Sequence, residues 1–241
     1  MEKQPIIALD FSTLIEVDEF LNLFDEPLYV KVGMELYLQN GPAVIELIQK
    51  KNHKIFLDLK LHDIPTTVRK AMQGLASLGI DMINVHAAGG RKMMEEAIEG
   101  LSAGSQNGPR PKLIAVTQLT SASHEMVQNE QKSALTLEES VLHYANLAKI
   151  SGLDGVVCSA AEAGRIKEKM GSDFLRITPG IRLEGDIAHD QVRIATPKLA
   201  MENGSSAIVV GRSITQSKDQ VLAYHTVKRE WEGAFYEKSN R

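Results

Sequence analysis

Residues 54–86 read KIFLDLKLHDIPTTVRKAMQGLASLGIDMINVH. An apolar, β-rich run from Lys54 to Leu61 is followed by TTVRKAMQGLASLG, whose apolar residues recur at helical spacing and stop at Gly79. A second β-rich run, DMINVHAA, starts at Asp81. Nearly continuous apolar strands are buried on both faces, as in a parallel sheet covered by helices. Outward from this unit the same alternation repeats in IIALDF (from Ile6), LYVKVG (Leu28), KLIAVTQLT (Lys112), DGVVCSA (Asp154), FLRITPGI (Phe174) and SAIVVGRS (Ser206). Between them lie the helical candidates VDEFLNLF, PAVIELIQKK, KMMEEAIEGL, EESVLHYANLAKISG, AEAGRIKEKMG, PKLAMENG and DQVLAYHTVKREW. Gly79, Gly152, Gly171 and Gly204 supply helix stops before the next strand. Eight strand–helix units in 241 residues predict an α/β fold, a single-domain (β/α)8 TIM barrel over residues 1–241. The alternative is an open doubly wound sheet, but no GxGxxG follows the first strand and no Walker-type phosphate loop occurs. One unit is irregular: about 17 residues, Ser121 to Leu137, separate the fifth strand from its helix, enough to form a partial cover.

Composition narrows the function. Apolar residues make up 43% and charged residues 24%, which excludes disordered, collagen-like and low-complexity classes. A net charge of −4 offers no positive field for a polyanion, so no nucleic-acid partner is expected. The lone cysteine, Cys158, excludes an internal disulfide and a multi-thiolate zinc site. The start, MEKQPIIALDF, reaches Asp10 after four apolar residues, and no apolar run has the roughly 18 residues of a spanning helix. The expectation is a soluble, cytoplasmic protein with no membrane partner.

A barrel builds its site at the carboxyl ends of its strands. Those ends carry Asp10 (first strand), Lys31 (second), Asp58, Lys60, His62 and Asp63 (third), His86 (fourth), Thr120 (fifth), TPGIR (seventh) and Gly211-Arg212 (eighth). Asp58 and Lys60 are two residues apart, so their side chains share one face of the strand. An isolated buried pair could merely satisfy itself, yet such pairs stabilise poorly. Two lysines alternating with two or three aspartates are better suited to preorganising a field, each charge keeping its neighbours ionised. Gly211 and Arg212 sit where barrels often bind phosphate, and the loop after the seventh strand adds Arg182, Gln191 and Arg193 as a mobile gripper. His62 and His86 could titrate near neutrality, without metal-site spacing. His53, His124, His143, His189 and His225 read as solvated, Cys158, Met93 and Met94 as core, and VKREWEG as a solvated last helix.

The set IALD, VKVG, LDLKLHDIPTT, TPGIR and VVGRSI, in order through nearly the whole chain, resembles the bacterial orotidine 5′-phosphate decarboxylase family, whose suprafamily shares the specific DxKxxD core. The resemblance implies a (β/α)8 barrel that performs the last step of de novo UMP synthesis on orotidine 5′-monophosphate. It also implies no cofactor, no metal, and a homodimer with sites at the subunit interface. By position, Lys60 would protonate C6 after carbon dioxide leaves, and Asp58 would lie against the substrate carboxylate. Lys31, which completes the charged array, and Asp10 would bind the ribose hydroxyls. Asp63 and Thr67 would reach the partner's site. Thr120 would contact the pyrimidine edge, Gln191, Arg212 and the Gly211 backbone would hold the phosphate, and Arg182 would sit on the closing loop. No role carries over to His86.

Two other readings stand beside it. Magnesium-dependent 3-keto-gulonate-phosphate decarboxylases and hexulose-phosphate synthases share DxKxxD but resemble one another in a metal-holding glutamate on the second strand, where this chain has Lys31, with Glu35 past the glycine. A non-catalytic barrel binding a phosphate sugar would have no need of a lysine between carboxylates.

Overall fold

Each strand pairs in parallel with its neighbour in sequence, and the eighth returns to the first to close the barrel. The computed structural model describes residues 4–105, 108–186 and 194–233. The strands are β1 (Ile6–Leu9), β2 (Tyr29–Gly33), β3 (Lys54–Leu61), β4 (Met82–His86), β5 (Lys112–Val116), β6 (Gly155–Val157), β7 (Leu175–Thr178) and β8 (Ala207–Val210). Around them run α1 (Leu14–Leu21), α2 (Met34–Asn40), α3 (Ala43–Lys50), α4 (Pro65–Ala76), α5 (Gly90–Gly104), α6 (Leu137–Ile150), α7 (Ala160–Met170), α8 (Pro197–Glu202), α9 (Arg212–Thr215) and α10 (Gln220–Glu232). The predicted (β/α)8 barrel is therefore the fold.

The period of two along each strand divides the core. Ile6, Ala8, Tyr29, Phe56, Met82, Ile114, Ile177, Ala207 and Val209 fill the barrel interior. Alternate residues, such as Ile7, Val30, Ile55, Leu57 and Ile83, pack outward against the helices. Continuing the inward series toward the carboxyl ends reaches Asp10 after Ala8, Lys31 after Tyr29, Asp58 and Lys60 after Phe56, and Asn84 and His86 after Met82. The charged residues thus lie on the same inward face as the apolar plug, one layer above it.

Local chemistry starts the helices where they are needed. Thr13 caps α1, its hydroxyl accepting from Glu16 N at 3.3 Å while the Glu16 carboxylate accepts from Thr13 N at 2.9 Å. Thr136 and Glu139 repeat the arrangement at α6, and Pro65 occupies the first turn of α4. The four helix-stop glycines all hold φ between 69° and 88°. Helices α4 and α5 approach unusually closely: a Cβ on Gly100 would lie 2.2 Å from the Arg69 carbonyl oxygen, and one on Gly104 would lie 2.1 Å from that of Gln73.

Several expectations need correction. Helix α2 was not anticipated, because Gly33 ends β2 and caps α2 at once, leaving no turn residues to mark the change. The final helix is not simply solvated, since Tyr224, Val227 and Trp231 on α10 are buried. His53 is buried, its Nδ1 accepting from Leu28 N at 2.9 Å. Burial first, and the Lys51 charge second, lower its pKa. The long segment after β5 carries a π-helical turn at Met126–Glu130, with Val127 buried. Among the described residues no helix is long and apolar enough to cross a membrane.

Candidate active site

A cavity of about 230 Å³ opens at the carboxyl ends of the strands. Its wall brings together Asp10, Lys31, Asp58, Lys60, Thr120, Arg182, Gly211 and Arg212, eight of the residues singled out from the sequence. Lys60 Nζ stands 2.7 Å from Asp58 Oδ1. Lys31 Nζ stands 3.4 Å from Asp58 Oδ2 and 3.7 Å from Asp10 Oδ1. One carboxylate is thus gripped by two ammonium groups, and one ammonium is shared between two carboxylates. Burial acts to raise the Asp58 pKa. The charges of Lys31 and Lys60, with hydrogen bonds from Lys60 and Asn84, outweigh it and hold the carboxyl below its ordinary value.

Asn84 is a member of this network that residue patterns did not single out. Its Nδ2 donates to Asp58 Oδ1 at 2.6 Å, and its Oδ1 accepts from the Lys60 backbone N–H at 2.8 Å. Asparagine in a predicted strand gives no catalytic signal, and only the inward alternation on β4 could have pointed to it. Lys60 itself has φ of 53°, in the left-handed region that non-glycine residues enter at a cost of roughly 1–3 kcal/mol. The β3–β4 register shifts at the same place.

His86 also faces inward from β4, its ring 5.7 Å from that of His62. Burial first, then the neighbouring His62 and Lys60, lower its pKa, with Asp58 opposing. Cys158 is core, as expected, but it also contributes to the cavity wall.

The opposite side of the mouth comes from the loops after β7 and β8. A Cβ on Gly211 would sit 3.1 Å from Asp10 Oδ2, so the end of β8 lies close beside the acidic end of β1. Arg182 is buried and donates through Nη1 to the Ile181 carbonyl at 2.8 Å. A second cavity lies between Arg182, Arg212 and Ser213. His189, Gln191 and Arg193 lie outside the described residues.

Asp63 and Thr67 are not brought into this cavity. Both are exposed on the rim, and Asp63 Oδ1 accepts from Ile64 N at 2.6 Å. Glu35 is turned away, its Oε1 accepting from the Ser12 hydroxyl at 2.8 Å. Among the described residues no three His, Cys, Asp or Glu side chains converge as a metal-binding group.

Fold and site together define a (β/α)8-barrel enzyme whose mouth is built from interlocked fixed charges. The model of the orotidine 5′-phosphate decarboxylase / HUMPS family matches residues 3–227. The chain is 62% identical over 229 residues to an orotidine 5′-phosphate decarboxylase of Listeria monocytogenes serovar 1/2a, covering 95% of this chain and 98% of that one. It is 59% identical over 233 residues to the enzyme of that name from Lysinibacillus sphaericus, covering 96% and 100%. The crystal structure of orotidine 5′-phosphate decarboxylase from Lactobacillus acidophilus superposes with a TM-score of 0.86 at 46% identity, covering 95% of this chain and 98% of that one. The chain belongs to the orotidine 5′-phosphate decarboxylase / HUMPS family.

Proposed function

We propose that the protein converts orotidine 5′-monophosphate to UMP and carbon dioxide in pyrimidine biosynthesis, in the cytoplasm, without metal or organic cofactor. The observation that carries this reading is the Asp10–Lys31–Asp58–Lys60 array. Loss of carbon dioxide from the substrate breaks the C6–carboxylate bond and leaves its electron pair on C6, with no adjacent sink. An enzyme with no carbonyl-type cofactor must stabilise that pair by fixed charge. Lys60 serves as the acid, its ammonium beside C6 stabilising the carbanion and then delivering a proton to it. Asp58 lies against the departing carboxylate and favours its loss. Lys31 and Asp10 bind the ribose hydroxyls, with Lys31 also helping to keep Asp58 ionised.

Thr120 meets the pyrimidine edge. Arg212, the Gly211 backbone and Gln191 hold the phosphate, with Arg182 on the loop that closes over it. Phosphate contacts remote from C6 supply binding energy that completes the site. The protein works as a homodimer, with Asp63 and Thr67 completing the partner's site. Their exposure on the rim, outside their own cavity, supports this assignment. The ammonium between Asp10 and Asp58 is also what disfavours a divalent cation there, since Lys31 and Lys60 together already balance the two carboxylates.

The test is the loss of orotidylate absorbance with purified protein in excess EDTA. Rapid formation of UMP is expected. No conversion, with activity on a keto-sugar phosphate once magnesium is restored, moves the chain to the metal-dependent branch of its family. Inertness toward both substrates leaves a phosphate-sugar-binding barrel.

A further inference from the structure

Asn84 is 0% exposed on the inner face of β4, where Phe56 and Met82 lie below it and Ile114 stands beside it on β5. A buried carboxamide is costly unless every polar atom is paired, so an apolar residue would be the economical choice there. Here both ends of the amide are used, and each is used on the charged pair. The β3–β4 ladder explains how. Leu57 pairs with Ile83 and Leu61 with Val85, so residues 58–60 on β3 stand opposite the single residue 84. The bulge interrupts the regular ladder beside Lys60 and turns its backbone to a φ of 53°. The Asn84 carbonyl takes up the Lys60 N–H at 2.8 Å, and its NH2 group donates to Asp58 Oδ1 at 2.6 Å.

We infer that Asn84 is a positioning residue for the decarboxylation: it holds the bulged peptide that aims Lys60 and orients the carboxylate of Asp58, without touching substrate. The inference rests on the function proposed above. It makes the geometry of the acid and the carboxylate depend on one side chain of the neighbouring strand.

Two variants test it. Asn84→Ala removes both contacts, and kcat per folded site falls about 100-fold, the scale of a displacement near 1 Å. KM for orotidylate stays within about threefold, because the phosphate and ribose contacts are untouched. Asn84→Asp keeps the size and the acceptor for Lys60 N–H but replaces the donor by a second carboxylate. The charged groups around it are Asp58 and Lys60 on β3, Lys31 on β2, Asp10 beyond β1, and His86 on β4 with His62 against it. Protonation of the introduced carboxylate restores a donor toward Asp58, so the ratio of variant to wild-type kcat rises as pH falls. A purely structural asparagine would lower the folded fraction and leave kcat per folded site and this ratio unchanged. If both variants, folded by circular dichroism, keep kcat within about threefold of wild type at all pH values, the inference is overturned while the decarboxylase reading stands. A wild-type protein inert toward orotidylate overturns both.

Discussion

Lys60 joins a 2.7 Å contact with Asp58 to a backbone conformation that lysines seldom adopt. Strain of that kind persists only where surrounding contacts enforce it. Replacing Lys60 with Ala is expected to lower kcat by more than about 10³-fold, since acid and field are lost together, with circular dichroism unchanged. A folded variant close to the wild-type rate would remove Lys60 from the mechanism. Asp58 makes a different prediction. Its carboxyl pKa lies below the ordinary range, so its ionisation contributes stability above that range and loses it as pH falls through the lowered value. Between pH 5 and acid denaturation, Asp58→Asn should therefore show a flatter loss of stability than wild type in urea titrations. At this scale the sequence was informative where charge stood at the carboxyl end of a strand: Asp10, Lys31, Asp58 and Lys60 all converge. Asn84 escaped because it carries no charge and forms no motif. His53 was misjudged because its burial depends on Leu28, 25 residues away in sequence.

The elements were legible where punctuation was present. Stops such as Gly171 mark boundaries chemically, and α7 ends there as expected, whereas α1, started by the Thr13–Glu16 capping pair, begins three residues ahead of the expected VDEFLNLF. Where one residue served two elements, as Gly33 does between β2 and α2, the boundary left no trace. The face of a helix is harder to read than its span. Only the packed structure puts Trp231 of α10 in the core. The seam between α4 and α5 carries a prediction of its own. Gly100 has no room for a methyl group against the Arg69 carbonyl, and that neighbour is backbone rather than a yielding side chain. Gly100→Ala should lower unfolding stability by about 1–3 kcal/mol through overpacking, despite the better helix propensity of alanine. An unchanged or raised denaturation midpoint would mean that the two helices separate freely.

Over the whole molecule, the charged set and the rim residues Asp63 and Thr67 belong to different parts of the surface. In a dimer with shared sites, an Asp63→Ala subunit keeps its own Lys60 and lacks only what its partner can supply. Mixed in equal amounts with Lys60→Ala subunits, half the dimers are hybrids with one intact site of two, so about a quarter of wild-type activity should return. No recovery after verified subunit exchange would show that each barrel works alone.

The way the barrel closes also bears on when a newly made chain first becomes competent. Asp10, Lys31, Asp58, Lys60 and Asn84 lie on or just after four adjacent strands within the first 86 residues, while Arg182, Gly211 and Arg212 follow the last two. The two halves meet at the β1–β8 seam, where Ile6 pairs with Val209 and Gly211 faces Asp10. During synthesis the ribosome therefore releases the charged half long before the half that carries Arg182, Gly211 and Arg212 exists. A nascent chain holds the paired Asp10–Lys31–Asp58–Lys60 set before it holds Arg182 and Arg212, and the cavity wall within one chain is complete only when the final strand seals the cylinder.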